Sequence, residues 1–199
     1  MKKLQSTLPN MILSLGAITV LAGGLLGWIY SITKDPIEKQ ALAQQQAAIA
    51  EVAPPFNNSP EEEKWSTEID GLTFTVYPAR ENGKLTGAAV KGMSMNGFSG
   101  EIIVMCGFMT DGTIKDYRVL QQAETPGLGT KMETWFRDPA GARSVIGKNP
   151  STTSFYVTKD SGGEIDGITA ATISSRAFLE TFRNAFRAYQ EYEKKQVHE

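Results

Sequence analysis

Four hydroxyl side chains, Thr169, Thr172, Ser174 and Ser175, fall within the stretch "DGITAATISSRAF", Asp166 to Phe178, which runs directly into an apolar pattern of helical period. A hydroxyl acts as a nucleophile when a neighbouring base takes its proton, or as an attachment point when another enzyme supplies the activation. Help of the first kind is scarce. The chain has one histidine, His198, next to its last residue, and one cysteine, Cys106. A Ser-His-Asp triad and a histidine-based zinc site are therefore set aside. A single cysteine also forms no internal disulfide and leaves the redox compartment undecided. Thr172 stands where a long helix should begin, and free N–H groups at a helix start favour a phosphate. Its hydroxyl could cap that helix or carry a phosphoester, with Arg176 one turn on as an added cation. On residue types alone the cap is favoured, because Thr, Ser and Asp are common helix entries.

A second stretch, "ETPGLGT", Glu124 to Thr130, contains Pro126-Gly127, the pair expected at the centre of a type II turn. Two other candidates for phosphate chemistry fail. "GARSVIGKNP" has Gly147-Lys148, but Ala142 holds the first glycine position of a phosphate loop and Asn149 replaces the magnesium-binding Ser/Thr. "GLGTKM" lacks both a third glycine and the strand-turn-helix context of a dinucleotide fold. The pair Glu62/Glu63 lies in a solvated acidic loop.

These two stretches must be positioned by the rest of a 199-residue chain with a formal net charge of −2. Met11 to Ile32 is an uncharged apolar run of 22 residues. At about 1.5 Å per residue it spans a hydrocarbon core of roughly 30 Å, with Trp28 and Tyr30 near one end as interfacial rings. The run exceeds the 7–15 apolar residues usual in a cleaved signal, and "ALA", Ala41 to Ala43, lies well past its end, so an uncleaved signal anchor is expected. Lys2 and Lys3 before the span balance Lys34 and Lys39 after it. The free amino terminus tips the expectation toward residues 1–10 inside and the large domain outside the cytoplasm. Without Lys2 and Lys3, 18 of the 20 basic residues face 22 acidic ones, a balance that does not suggest a nucleic-acid binder.

After the anchor at 11–32, residues 33–64 are expected to form a stalk helix and linker. Asp35 caps the helix, Pro36 takes its first position, and Pro54 and Pro55 end it. "NNSPEEEKW" is expected as a loop. From Leu72 onward "LTFTVYPA", "LTGAAVKG", "GFSGEIIVMCGFM" and "TIKDYRVLQQ" are β-branched and aromatic runs separated by Gly, Asn and Asp turns, the spacing of an antiparallel meander. Cys106 falls within a strand and is expected to be buried. "KMETWFRD" predicts a short helix and "TSFYVTK" a further strand. Residues 172 to about 195 predict the longest soluble helix, with Ile173, Ala177, Phe178, Ala185, Phe186 and Tyr189 as its core face. Strands followed by helices give an α+β domain over 65–199.

The anchor, the stalk, "ETPGLGT" and "DGITAATISS", in that order, resemble the covalent FMN-binding subunits of ion-translocating electron transport complexes, in particular the G-type subunit of Rnf complexes. The resemblance covers nearly the whole chain. The family signature is an aspartate, two variable residues, Ser/Thr, usually Gly, then Ala-Thr. Asp166, Thr169, Ala171 and Thr172 match it, and Ala170 occupies the usual glycine position. The resemblance implies FMN bound to Thr172 through a phosphoester, placed there from FAD by a separate flavin transferase with magnesium. It further implies that Glu124, Thr125, Leu128, Gly129 and Thr130 lie against the flavin, with Lys131 and Ser175 near its phosphate or ribityl chain. The implied role is electron relay between ferredoxin and NAD beside iron–sulfur and flavin subunits in a bacterial inner membrane, while the complex moves Na⁺ or H⁺. The corresponding C-type subunit of a Na⁺-translocating NADH:quinone reductase shares the signature. A membrane-tethered binding or scaffold domain without a redox role is the reading from another class.

Overall fold

A computed structural model describes residues 7–198. Lys2 and Lys3, on which the charge comparison across the span rests, lie outside the described residues, as does the side chain of His198. The chain divides into two compact units between Ala43 and Gln44.

The first unit is helical from Leu8 onward, within helix α1, Leu8–Val52. This is the one helix among the described residues long and apolar enough to cross a membrane. Its large apolar side chains, from Met11 to Ile32, are exposed all round, the pattern of a helix whose solvent is itself apolar. Its hydroxyls fold back on the helix. Ser14 donates to the Met11 carbonyl at 3.0 Å, Thr19 to Leu15 at 2.9 Å, Ser31 to Trp28 at 2.7 Å and Thr33 to Ile29 at 2.8 Å. These hydroxyls are thereby satisfied without water. The expected helix start at Asp35–Pro36 does not occur, since α1 continues through Pro36. Proline forgoes one hydrogen bond there, and the strong helix formers around it (Glu, Lys, Gln, Ala, Leu) carry the helix through. Its end at Val52, before Pro54 and Pro55, is as expected.

The second unit is built on five antiparallel strands in the order β1-β2-β3-β4-β5: Trp65–Ile69, Leu72–Glu81, Lys84–Ser94, Ile102–Met109 and Ile114–Gln121. Strand β1 lies in a stretch not expected to be a strand. Its signal is the Asp70-Gly71 pair between two runs, with φ of 51° and 79°, the same turn chemistry that joins β2 to β3 at Asn82-Gly83. After the sheet come a 3₁₀ turn at Gly129–Lys131, the short helix α2, Met132–Trp135, and the long helix α3, Thr172–His198.

Strand alternation separates two cores. Phe74, Val76, Ala88, Val90, Val104, Cys106 and Phe108 face α3, which contributes Phe178, Leu179, Phe182, Ala185 and Tyr189. Tyr77, Ala79, Ala89 and Met105 face the other way and are covered by Ala48, Ile49, Val52 and Ala53. Cys106 is fully buried, and that burial pushes its thiol well above the ordinary range, so it is neutral packing rather than a reactive group.

"TSFYVTK" is not a strand. Only Val157 forms a bridge, to Ile165. The segment turns on itself instead, with the Thr158 N–H bonded to the Ile165 carbonyl at 2.8 Å and the Ile165 N–H to the Tyr156 carbonyl at 3.1 Å. Gly163 permits this close return, because a Cβ there would lie 1.9 Å from the Val157 carbonyl oxygen.

Candidate functional site

The start of α3 and the "ETPGLGT" loop meet at one cavity of about 380 Å³. Thr125, Leu128 and Gly129 line it from the loop, and Ala170, Ala171, Thr172, Ile173 and Ser174 from the helix entry. The Pro126-Gly127 turn forms as expected, with Gly127 at φ 75° and the Leu128 N–H bonded to the Thr125 carbonyl at 3.1 Å. Thr130 locks that turn by accepting the Gly127 N–H at 3.0 Å and does not line the cavity. Gly129 brings the loop against the helix. A Cβ there would sit 2.7 Å from both Glu124 Cβ and Ser174 Oγ.

Thr172 is half-buried in the cavity wall. The Ser175 N–H bonds to the Ala171 carbonyl at 3.0 Å and opens the helical ladder, so the amides just before it have no intrahelical acceptor. Ile173, expected in the core, is 49 % exposed in the same wall. The apolar core face of α3 begins one turn later, with Ala177 and Phe178.

The other residues singled out from the sequence hold the frame. Asp166 accepts the Ala142 N–H at 3.0 Å and the Thr158 hydroxyl at 3.2 Å, while its carbonyl accepts the Trp135 indole N–H at 2.8 Å. It ties two loops and α2 together beside the helix entry. Ser175 is fully buried, accepting the Ile168 N–H at 2.8 Å and donating to the Ala171 carbonyl at 2.9 Å. Thr169 is exposed on the turn that precedes the helix, and Lys131 is exposed outside the cavity lining. Glu124 is 4 % exposed and stands behind the cavity wall. One carboxylate oxygen accepts the Ser174 hydroxyl at 2.5 Å, and the other accepts the Ser99 N–H at 3.0 Å.

That second bond explains a lining residue that local sequence patterns do not reveal. Phe98, 66 % exposed, stands in the cavity wall on the loop Glu124 holds. The strand expected to include it, β4, starts only at Ile102. An aromatic ring between Gly97 and Gly100, where no strand can hide it, is the available signal. The expected cation also differs. Arg176 is held by Asp160 through contacts of 3.0 and 3.1 Å from Nε, with a further one from Nη2. Those hydrogen bonds keep the Asp160 carboxyl below its usual range. Lys159 is the basic side chain that reaches Thr172, with Nζ 3.4 Å from Oγ1.

Residues 97–187 match the family model described as FMN-binding domain, and residues 12–52 match the RnfG N-terminal region. The G subunit of the ion-translocating oxidoreductase complex of Salmonella typhi is 36 % identical over 171 residues, covering 81 % of each chain. That of Erwinia tasmaniensis is 35 % identical over 175 residues, 83 % of this chain and 82 % of its own. That of Aliivibrio fischeri strain MJ11 is 30 % identical over 198 residues, 94 % and 93 %. The chain belongs to the G-subunit family of ion-translocating oxidoreductase complexes. The choice between the Rnf and quinone-reductase types thus falls to the Rnf type, and the α+β domain carries an FMN-binding domain that includes both motifs and Phe98.

The cavity of this G-subunit family member suits a flavin mononucleotide. Leu128, Ile173 and Phe98 give apolar walls for a planar ring, and Gly129 lets the loop close against the helix entry. The helix entry beside them offers amides and a hydroxyl to a phosphate.

Ala170 has φ 61°, the left-handed region, in the turn closed by the Ala171 N–H on the Ile168 carbonyl at 3.0 Å. An alanine there costs about 1–2 kcal/mol relative to its right-handed form, partly offset in a glycine variant by the freer unfolded chain. Ala170→Gly should therefore raise stability by about 0.5–1 kcal/mol, read as a higher urea midpoint at unchanged slope. A lower midpoint would mean that the methyl's packing outweighs the backbone strain.

Proposed function

We propose that the chain is a membrane-anchored, electron-carrying flavoprotein subunit of an Rnf-type ferredoxin:NAD oxidoreductase, with FMN bound covalently to Thr172. The observation that carries this reading is the position of Thr172 in the wall of a cavity that both motifs line. Residues 11–32 anchor the chain in a bacterial inner membrane, residues 33–64 link, and the domain from 65 onward lies outside the cytoplasm. Family membership, the apolar run and the inward bonding of its hydroxyls support the anchor. The iron–sulfur and flavin subunits of the complex are its electron partners.

Bound FMN supplies the one- and two-electron chemistry. The protein's part is to bind and orient. Leu128, Ile173 and Phe98 present apolar surface to a ring, and Glu124 fixes the helix entry against the Phe98 loop. A flavin transferase supplies the activation that Thr172 lacks. Among the described hydrogen bonds, no carboxylate or imidazole accepts from its hydroxyl. Asp166 and Glu124, the carboxylates of the two motifs, are both engaged elsewhere.

The test is expression of the full chain with a flavin transferase, followed by denaturing electrophoresis under ultraviolet light. The wild-type band should fluoresce, and the peptide containing Thr172 should carry the mass of FMN less water. Thr172→Ala should be dark. A dark wild-type band, or a bright Thr172→Ala band, would remove the proposal, and the first outcome is what a scaffold without a redox role predicts.

A further inference from the structure

The geometry points to Lys159 as the residue that binds the phosphate joined to Thr172, a role first expected of Arg176. This inference rests on the attachment of FMN at Thr172. Lys159 Nζ lies 3.4 Å from Thr172 Oγ1, the atom that would become the ester oxygen. Arg176 is the wrong cation because Asp160 occupies its guanidinium through both carboxylate oxygens. That pair has a different use. Asp160 follows Lys159 in the chain, so the ion pair ties the Lys159 loop to the first turns of α3.

The loop is also closed from within. The Asp160 N–H bonds to the Val157 carbonyl at 2.8 Å, the Gly163 N–H to the Asp160 carbonyl at 3.0 Å, and Val157 bridges Ile165. The backbone carrying Lys159 is therefore fixed while its side chain remains exposed. The acidic groups nearby are committed elsewhere, Asp160 to Arg176 and Asp166 to Ala142 and Thr158. Nothing among the described contacts neutralises the Lys159 ammonium in advance.

The chemistry needs a cation there. In the transfer, Thr172 Oγ1 forms a bond to the FMN phosphorus of FAD. The bond from that phosphorus to the bridging oxygen breaks, AMP leaves with that oxygen, and the hydroxyl proton passes to a base of the transferase. A neutral hydroxyl becomes a phosphodiester with one negative charge. The helix-entry amides and the ammonium approach that charge together, and a charge-assisted hydrogen bond favours the product and the transition state leading to it.

Lys159→Met keeps the stem and removes the charge. The initial rate of flavin incorporation, read as band fluorescence against time, should fall about tenfold, and Lys159→Arg should recover most of it. Because Lys159 is exposed, the thermal midpoint of the flavin-free Met variant should not move. Incorporation in Lys159→Met is slowed rather than abolished, so both loaded proteins can be compared by phosphorus NMR. The wild-type phosphodiester resonance should differ in chemical shift from that of the Met variant, because only the wild type places an ammonium against the phosphate. A wild-type chain that never labels overturns the attachment at Thr172. A labelled wild type with Lys159→Met labelling at the same rate, or with the same phosphorus chemical shift, overturns only the role of Lys159.

Discussion

Gly107→Ala is expected to destabilise the second unit by about 3 kcal/mol, the upper part of the range for forcing atoms into a packed core. A Cβ at Gly107 would lie 2.0 Å from the Val52 carbonyl oxygen and 2.6 Å from its carbon. Neither side can yield cheaply. Gly107 belongs to β4, which is hydrogen-bonded to β3 on one edge and β5 on the other. The end of α1 is held in turn. Lys115 donates to the carbonyls of Glu51 at 3.2 Å and Ala53 at 2.5 Å, satisfying acceptors at the helix C-terminus, and Arg118 pairs with Glu51. The expected outcome is displacement of residues 44–53 from the sheet face they share with Tyr77, Ala79, Ala89 and Met105. Urea unfolding would show the loss of stability, and hydrogen exchange would show faster exchange in 44–53 than in α3. Equal protection of 44–53 in both proteins would refute the account.

Gly107 also marks where the sequence stops being legible. Local patterns carry the reading far. Alternation and turn residues locate four of five strands, and a 3.6-residue period locates α3. Pro54 and Pro55 mark the end of α1. Elements escape where their partners are distant. Trp65–Ile69 becomes a strand because β2 offers it an edge and α3 packs over it, as in the Trp65–Tyr192 ring contact at 5.9 Å. "TSFYVTK" has the composition of a strand but no sheet edge to join, so its backbone closes a loop with residues 163–165. Pro36 looks like a helix start because it fits one, yet the flanking residues sustain a helix through it.

The site divides along the same line. Thr172, Leu128 and Gly129 come together as the motifs suggest, since each lies near a local turn or helix entry. Phe98 and Lys159 do not announce themselves. They reach the cavity and Thr172 only because loops far apart in sequence fold onto the helix start. Arg176 is favoured by helical spacing, which places it one turn from Thr172 but cannot reveal that Asp160 holds it.

Glu124 shows how such loops are coupled, and its replacement carries the second large effect. Glu124→Ala is expected to cost about 2–4 kcal/mol, because the Ser99 amide and the buried Ser174 hydroxyl lose their acceptor and a void opens beside them. The carboxylate is packed as well as bonded, since Cβ atoms built on Gly97 and Gly129 would each come to 2.8 Å from one of its two oxygens. Glu124→Gln retains the shape and the bond to Ser99, but its amide faces Ser174 as a donor, and about 1–2 kcal/mol should be lost. If Glu124 positions the cavity wall rather than contacting the flavin, attachment and ring confinement separate. The Thr172 peptide of Glu124→Ala should still carry flavin after long incubation with the transferase. Its fluorescence anisotropy should decay faster than in the wild type, because the Phe98 loop and the helix entry no longer share an anchor. Glu124→Gln should fall between them. Unchanged anisotropy together with unchanged stability would show that the Phe98 loop is held by other contacts. Loss of attachment in a Glu124→Gln variant of near wild-type stability would instead place the carboxylate in the transfer step itself.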